Sequence, residues 1–309
     1  MKIVDKLRKA VLALLILSGP LYSIGQQDPM YTQYIFNLQT INPAYVGSWQ
    51  TMGFLALSRH QWVGFTGHPT TQTFSFQTPL RTQNVGIGFD VVNDKTGPVR
   101  RIMVNLDYSY RVLLNTNTSL RFGIKGGFSN YNNDLNSLEP YPDGTPDQVL
   151  LGEVVNEFMP NFGFGVFLSS PSYYLSISLP RLLQESKGNF STMSDIRQLY
   201  FAGGVLFNIS DNVKFKPTFM TKAVVGFPFQ YDISGNFLLA EKFWIGGMYR
   251  SGDSFGAIAQ WIINSRFRIG YAADFPFTDM KKYQQGVHEI MVSYEIAFTK
   301  RRYVSPRYF

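Results

Sequence analysis

The chain has 309 residues, a formal net charge of +7, 16% aromatic and only 16% charged residues, and no cysteine. Without a thiol it forms no disulfide scaffold, cysteine-ligated zinc or iron–sulfur site, cysteine nucleophile or lipoprotein anchor. Its charged fraction lies well below the roughly 25% of a soluble globular domain, too little to cover an ordinary water-facing surface, and a membrane is the simpler solvent.

Residues 1–25 read as a secretory signal peptide. Lys2, Lys6, Arg8 and Lys9 precede the short apolar run Val11 to Leu17, and Ser23-Ile24-Gly25 supplies a small-residue cleavage site after Gly25. The run is too short for the ~20 residues of a spanning helix. The segment holds four bases and one acid, so its removal takes the net charge from +7 to +4. That modest excess does not indicate nucleic acid. Residues 26–50, from Gln26 through Tyr31, Tyr34, Asn37, Asn42, Pro43 and Tyr45, are rich in amides and tyrosines and do not suit lipid.

No later apolar stretch is long enough for a membrane helix, so the backbone has one remaining way to pair all its polar groups in hydrocarbon, a closed β-barrel. The pattern required is segments of about ten residues, apolar at every second position and separated by turn residues. Fourteen segments meet it, at 51–61, 69–79, 83–93, 99–113, 118–131, 160–169, 172–180, 197–209, 212–222, 228–239, 242–251, 254–263, 265–275 and 287–299. In the fourth, Ile102, Val104, Leu106, Tyr108 and Tyr110 alternate with Arg101, Met103, Asn105, Asp107, Ser109 and Arg111. Every second connection is short, such as Asn115-Thr116-Asn117 and Asn264-Ser265, and the long ones, 131–160, 181–196 and 276–286, fall in the opposite set. The expected fold is therefore all-β: a transmembrane antiparallel β-barrel of about fourteen strands over residues 51–299, with an N-terminal periplasmic or plug segment, a basic periplasmic tail at 300–309 and both termini periplasmic. Trp49, Trp62, Phe229, Tyr231, Trp244 and Phe275 sit where interfacial girdles are expected. A soluble secreted β-sandwich shares the alternation but not the low charge or the loop asymmetry.

Enzyme signals fail on spacing. His288-Glu289 opens like HExxH, but Val292 occupies the position of the second histidine, and the segment alternates as a strand. Nothing in the sequence calls for a cofactor or a metal.

Directly after the cleavage site stand Gln27-Asp28-Pro29-Met30-Tyr31-Thr32-Gln33-Tyr34 and then Asn42-Pro43-Ala44-Tyr45-Val46-Gly47. In these two elements the chain resembles the PorP/SprF family of type IX secretion system outer-membrane proteins of Bacteroidetes. The resemblance continues through Gln61-Trp62, Asn93 to Pro98, Phe162 to Val166, Phe243 to Gly246 and His288-Glu289. It implies a non-enzymatic outer-membrane barrel serving protein export or gliding. Implied partners are outer-membrane lipids, a secreted cargo protein with a C-terminal sorting domain, and a periplasmic secretion-system lipoprotein or ring component. A porin-like or hydrophobic-solute transport barrel is the alternative.

Two sets of residues are the functional candidates. A polar lumen face is expected to hold Arg101, Asp107, Arg111, Arg121, Lys125, Lys214, Lys216, Arg266, Arg268, Asp274, Glu289 and Glu295, either braced by ion pairs or lining a passage. Partner contacts are expected from Tyr31, Tyr34, Asn42, Pro43 and Tyr45, in a segment that either plugs the lumen or docks in the periplasm. A long outer loop adds Leu138, Tyr141, Val155 and Phe158, which either bind a partner or cap the mouth.

Overall fold

The computed structural model describes residues 30–64, 66–80, 83–133, 155–183, 185–186, 194–195, 197–225, 227–278 and 285–297. The signal segment, Leu138, Tyr141 and the basic tail lie outside the described residues.

Fourteen antiparallel strands close into a barrel. In chain order they are β1 (Met52–His60), β2 (Thr70–Pro79), β3 (Val85–Thr96), β4 (Val99–Leu113), β5 (Ser119–Asn133), β6 (Val155–Ser169) and β7 (Tyr173–Leu179). Then follow β8 (in two pieces, Gln198–Val205 and Phe207–Ser210), β9 (Val213–Val224), β10 (Gln230–Leu239), β11 (Phe243–Arg250), β12 (Ser254–Ile262), β13 (Phe267–Pro276) and β14 (Val287–Ile296). Each strand pairs with its neighbours in sequence, and β1 closes the ring on β14, Met52 opposite Ile296 and His60 opposite His288. Closure leaves no open sheet edge, the condition for β-structure in hydrocarbon.

Strand geometry sends successive side chains to opposite faces, and the sequence uses that strictly. On the outer face Leu106 is 67% exposed and Ile124 59%, while their neighbours Asp107 and Lys125 are each 4% exposed inside. One mouth carries the connections 80–84, 114–118, 170–172, 211–212, 240–242 and 263–266. All are short in sequence, and two are closed by an asparagine side chain: Asn115 Oδ1 accepts from the Asn117 and Thr118 N–H groups, and Asn264 Oδ1 from those of Arg266 and Phe267. The other mouth carries 61–69, 97–98, 134–154, 180–197, 225–229, 251–253 and 277–286, including the three long connections.

Three expectations are corrected. The sixth strand begins at Val155, not at 160, so Val155 and Phe158 belong to β6 and not to the outer loop, opposite Asn133 and Asn130. Pro160 looks like a strand boundary, yet β5 runs on to Asn133 and the pairing continues past it; the outward Phe158 ring stacks on Phe128 at 4.9 Å. Trp244 faces inward at 2% exposure and does not belong to an interfacial girdle, and Trp49 turns into the lumen, donating to the Tyr45 hydroxyl. Arg266 is spent in the Asn264 turn and is exposed, because β13 starts only at Phe267.

Candidate functional site

The lumen is occupied by the chain's own N-terminal segment. Residues 30–47 are almost continuously buried and run through the barrel as three short 3₁₀ turns, Tyr34–Phe36, Leu38–Thr40 and Pro43–Tyr45. Their wall contacts descend in order, from the long-loop mouth at Thr32 to the short-turn mouth at Gly47, where the chain turns into β1.

At the long-loop mouth the segment is held by carboxylates. Glu289 accepts both backbone N–H groups of Thr32 and Gln33, at 2.7 and 3.0 Å, and Asp274 accepts the Thr32 hydroxyl at 2.6 Å. Arg59 pairs with both acids, 3.2 Å from Asp274, and Arg250 pairs with Asp232 at 2.9 Å while reaching the Tyr31 carbonyl at 3.4 Å. Each of these charges is nearly inaccessible to water, and each has an opposite charge and a hydrogen-bond partner, the condition under which a buried ion network is tolerable.

In the middle, Lys125 pairs with Asp90 at 2.6 Å and Asp107 at 3.4 Å and points at the Gln39 and Thr40 carbonyls. The Gln39 amide donates to the Phe76 and Phe89 carbonyls at 3.0 and 3.1 Å. Tyr31 bonds Thr73 at 2.6 Å and Tyr34 bonds Thr218 at 3.2 Å.

The lower half lies on a belt of small residues. Pairing register lines up Gly86, Ser109, Gly123, Gly165 and Ser178 across β3 to β7. Asn42 to Val46 rests on that belt: a Cβ at Gly123 would collide with the Pro43–Ala44 backbone, and one at Gly86 with the Val46 carbonyl. Asn42 caps its own turn, accepting from Ala44 N at 2.8 Å, and donates to the Val166 carbonyl and the Ser176 hydroxyl at 3.0 and 2.7 Å. Tyr45 sits edge-on to Phe167 with ring centres 5.3 Å apart. Ser109 and Arg121 then donate to the Val46 and Gly47 carbonyls at 2.6 and 2.9 Å.

Tyr31, Tyr34, Asn42, Pro43 and Tyr45 therefore all spend their side chains inside the lumen. Arg101, Asp107, Arg121, Lys125, Glu289 and Glu295 face it and are buried; Arg111 and Arg268 face it half-buried, Arg268 paired with Glu295 at 2.6 Å. Asp274, expected on the lumen face, is there and buried; the residues that sequence reasoning missed as site residues are Arg59, Asp90, Asp232 and the glycine belt. The first three alternate correctly with their apolar neighbours and could have been found by extending the lumen face to every strand; the belt needs the register. His288 and Glu289 point to opposite faces, His288 outward to the Tyr271 hydroxyl, as adjacent strand residues must. Among the described residues no group of three His, Asp or Glu side chains is placed to hold a metal ion.

An outward apolar surface, a closed fourteen-stranded wall and an internally braced lumen define a membrane β-barrel of the outer-membrane type. Solved barrels of that type are similar at low identity. The CymD monoaromatic hydrocarbon channel aligns at TM-score 0.49 and 10% identity, over 88% of this chain and 95% of its own. Omp33 of Acinetobacter baumannii aligns at 0.48 and 8%, over 80% and 100%. A FadL homologue of Pseudomonas aeruginosa aligns at 0.44 and 11%, over 90% and 96%. No curated protein matches the sequence. A family model described as type IX secretion system membrane protein PorP/SprF matches residues 23–294, and the chain belongs to that family.

Proposed function

We propose that this protein is a non-enzymatic, self-plugged outer-membrane subunit of the type IX secretion or gliding machinery. In this role it supports export or surface anchoring of a cargo protein with a C-terminal sorting domain, or links a periplasmic lipoprotein or ring component to the outer membrane. The observation that carries the reading is the plug: a segment bonded to the wall from Thr32 to Gly47 fills the space a solute would cross, which disfavours the porin-like and hydrophobic-solute alternatives. Cargo contact falls to the long-loop mouth, and the sequence between β5 and β6, which holds Leu138 and Tyr141, remains the candidate for it.

Orientation follows from the loop asymmetry, with long loops outward and short turns in the periplasm. The β14 end then faces the periplasm, but Met30 lies at the outer mouth. After cleavage at Gly25 only residues 26–29 precede it, and four residues extend at most about 14 Å. That is too short to recross a wall of ten-residue strands, about 33 Å long. On this reading the mature N-terminus opens at the outer mouth and the β14 end at the periplasmic one.

The test has two parts. In planar bilayers the purified protein is expected to stay silent, and affinity purification from native outer membrane in mild detergent should recover secreted cargo or secretion-ring components. A conducting barrel that brings no partner under several gentle conditions sinks the proposal. A cysteine at Gln27, the only thiol in the chain, should react with an impermeant maleimide on intact cells; protection there, with labelling only after permeabilisation, would reverse the orientation.

A further inference from the structure

Two arginines at the short-turn mouth differ from four of the other inward cations. Arg59, Lys125, Arg250 and Arg268 each have a carboxylate within ion-pair distance. Arg111 and Arg121 have none among the described residues, yet they face one another directly across β4 and β5. Arg121 is 2% exposed; its Nη2 is bonded to the Gly47 carbonyl and its Nη1 has no acceptor. Arg111 opens half-buried toward the mouth, with Nη2 on Asn84 Oδ1 at 3.2 Å and a buried Nε without an acceptor.

Like charges directly opposite on one face of a strand pair repel, and a desolvated guanidinium with no counter-charge is costly. Three described acids lie along this mouth: Asp211, exposed in the turn between β8 and β9, Glu241, paired with Lys214, and Glu295, paired with Arg268. Lys242 and Arg266 stand exposed in turns of the same mouth and carry the positive field outward. Acid is concentrated in the opposite connections, where 134–154 alone holds Asp134, Glu139, Asp143, Asp147 and Glu153.

We infer that the short-turn mouth is a docking face for an acidic protein segment, and that the Arg111–Arg121 pair takes its Asp or Glu carboxylate. Guanidinium forks receive a carboxylate through paired N–H···O bonds, which supplies both charge and direction. The surrounding basic turns suit an extended acidic surface better than a single small anion. The inference rests on the secretion reading only in placing this mouth in the periplasm. Because Arg121 also holds Gly47, the docked carboxylate sits at the base of the plug.

The test uses the full-length protein in detergent and a fluorescein-labelled octaglutamate peptide, followed by anisotropy at about 0.15 M salt. R111Q/R121Q should weaken binding about tenfold or more, whereas K242Q/R266Q, which removes the same charge from exposed turns, should weaken it about twofold. R111K/R121K, which keeps the charge but not the fork, should lose about fivefold and guards against a glutamine variant that fails to fold. Deleting residues 300–309 should leave binding in place. Equal losses from the two glutamine pairs, full affinity in the lysine pair, loss on tail deletion, or no binding by the unaltered protein would each overturn the inference. Since the peptide is read on the isolated barrel, failure here leaves the secretion reading standing, and failure to recover secretion partners leaves this result untouched.

Discussion

The two ends of the plug are held by opposite chemistry. At the long-loop mouth the wall offers an anion to backbone N–H groups, through Glu289, while Asp274 takes the Thr32 hydroxyl; toward the short-turn mouth it offers cations to backbone carbonyls, through Lys125 and Arg121. A run of 3₁₀ turns leaves N–H groups unpaired at its start and carbonyls at its end, as any helix does. The wall charges match that polarity, so they specify the direction in which the segment threads as well as its position. The difference also separates costs: the upper end depends on a few charges, the lower on shape.

The largest expected effect is therefore at the upper end. Glu289→Ala removes the acceptors of two plug N–H groups and leaves Arg59 with Asp274 alone, which should cost about 3–5 kcal/mol, the range for breaking a buried ion network. The detergent-solubilised barrel should show a lower thermal transition by heat-modifiable migration. Bilayer conductance should appear where the parent is silent. A variant as stable and as silent as the parent would show that the carboxylate latch does not hold the plug.

Shape should dominate at the lower end. Gly123→Val puts branched carbon where the Pro43–Ala44 backbone lies, with an expected cost of about 1–3 kcal/mol. Its mark is locality: a cysteine introduced at Val46 should become reactive, while one at Thr32 stays protected by the intact latch. Asn42→Ala follows with about 2 kcal/mol, from a lost cap and two lost bonds to the wall. Equal exposure of both reporter cysteines in either variant would mean that the plug leaves as one unit and the two ends are not independent.

The same contrast explains what the sequence discloses. β4 is legible to the residue because Arg101 to Arg111 alternates without interruption, and alternation is a one-strand property. Glu289 and Lys125 are legible as lumen residues for the same reason. That Glu289 binds backbone N–H groups is not, because its partners are about 256 positions away and carry no side-chain signature. The belt of Gly86, Gly123 and Gly165 is scattered over three strands and becomes a surface only through register. The amides and tyrosines of residues 30–47 mark a segment unsuited to lipid, but filling the lumen and docking in the periplasm require the same residue types. Arg266 and Pro160 mislead in complementary ways: the first depends on where a turn ends, the second on a strand that continues through a residue which usually stops one.

The smallest effect lies at the foot of the plug. Tyr45→Phe keeps the ring edge-on to Phe167 and removes only the hydroxyl, which leaves the Trp49 indole N–H without its 2.8 Å acceptor and should cost about 1 kcal/mol. Trp49 packs against the same buried cluster where the chain turns into β1, so the loss stays local. A cysteine introduced at Val46 should gain reactivity in the variant, while one at Thr32 stays protected beneath Glu289 and Asp274. Unfolding midpoints and labelling rates decide the matter: an unchanged midpoint would mean that the hydroxyl adds nothing to the fit of the ring, and equal labelling at both positions would mean that the two ends of the plug loosen together.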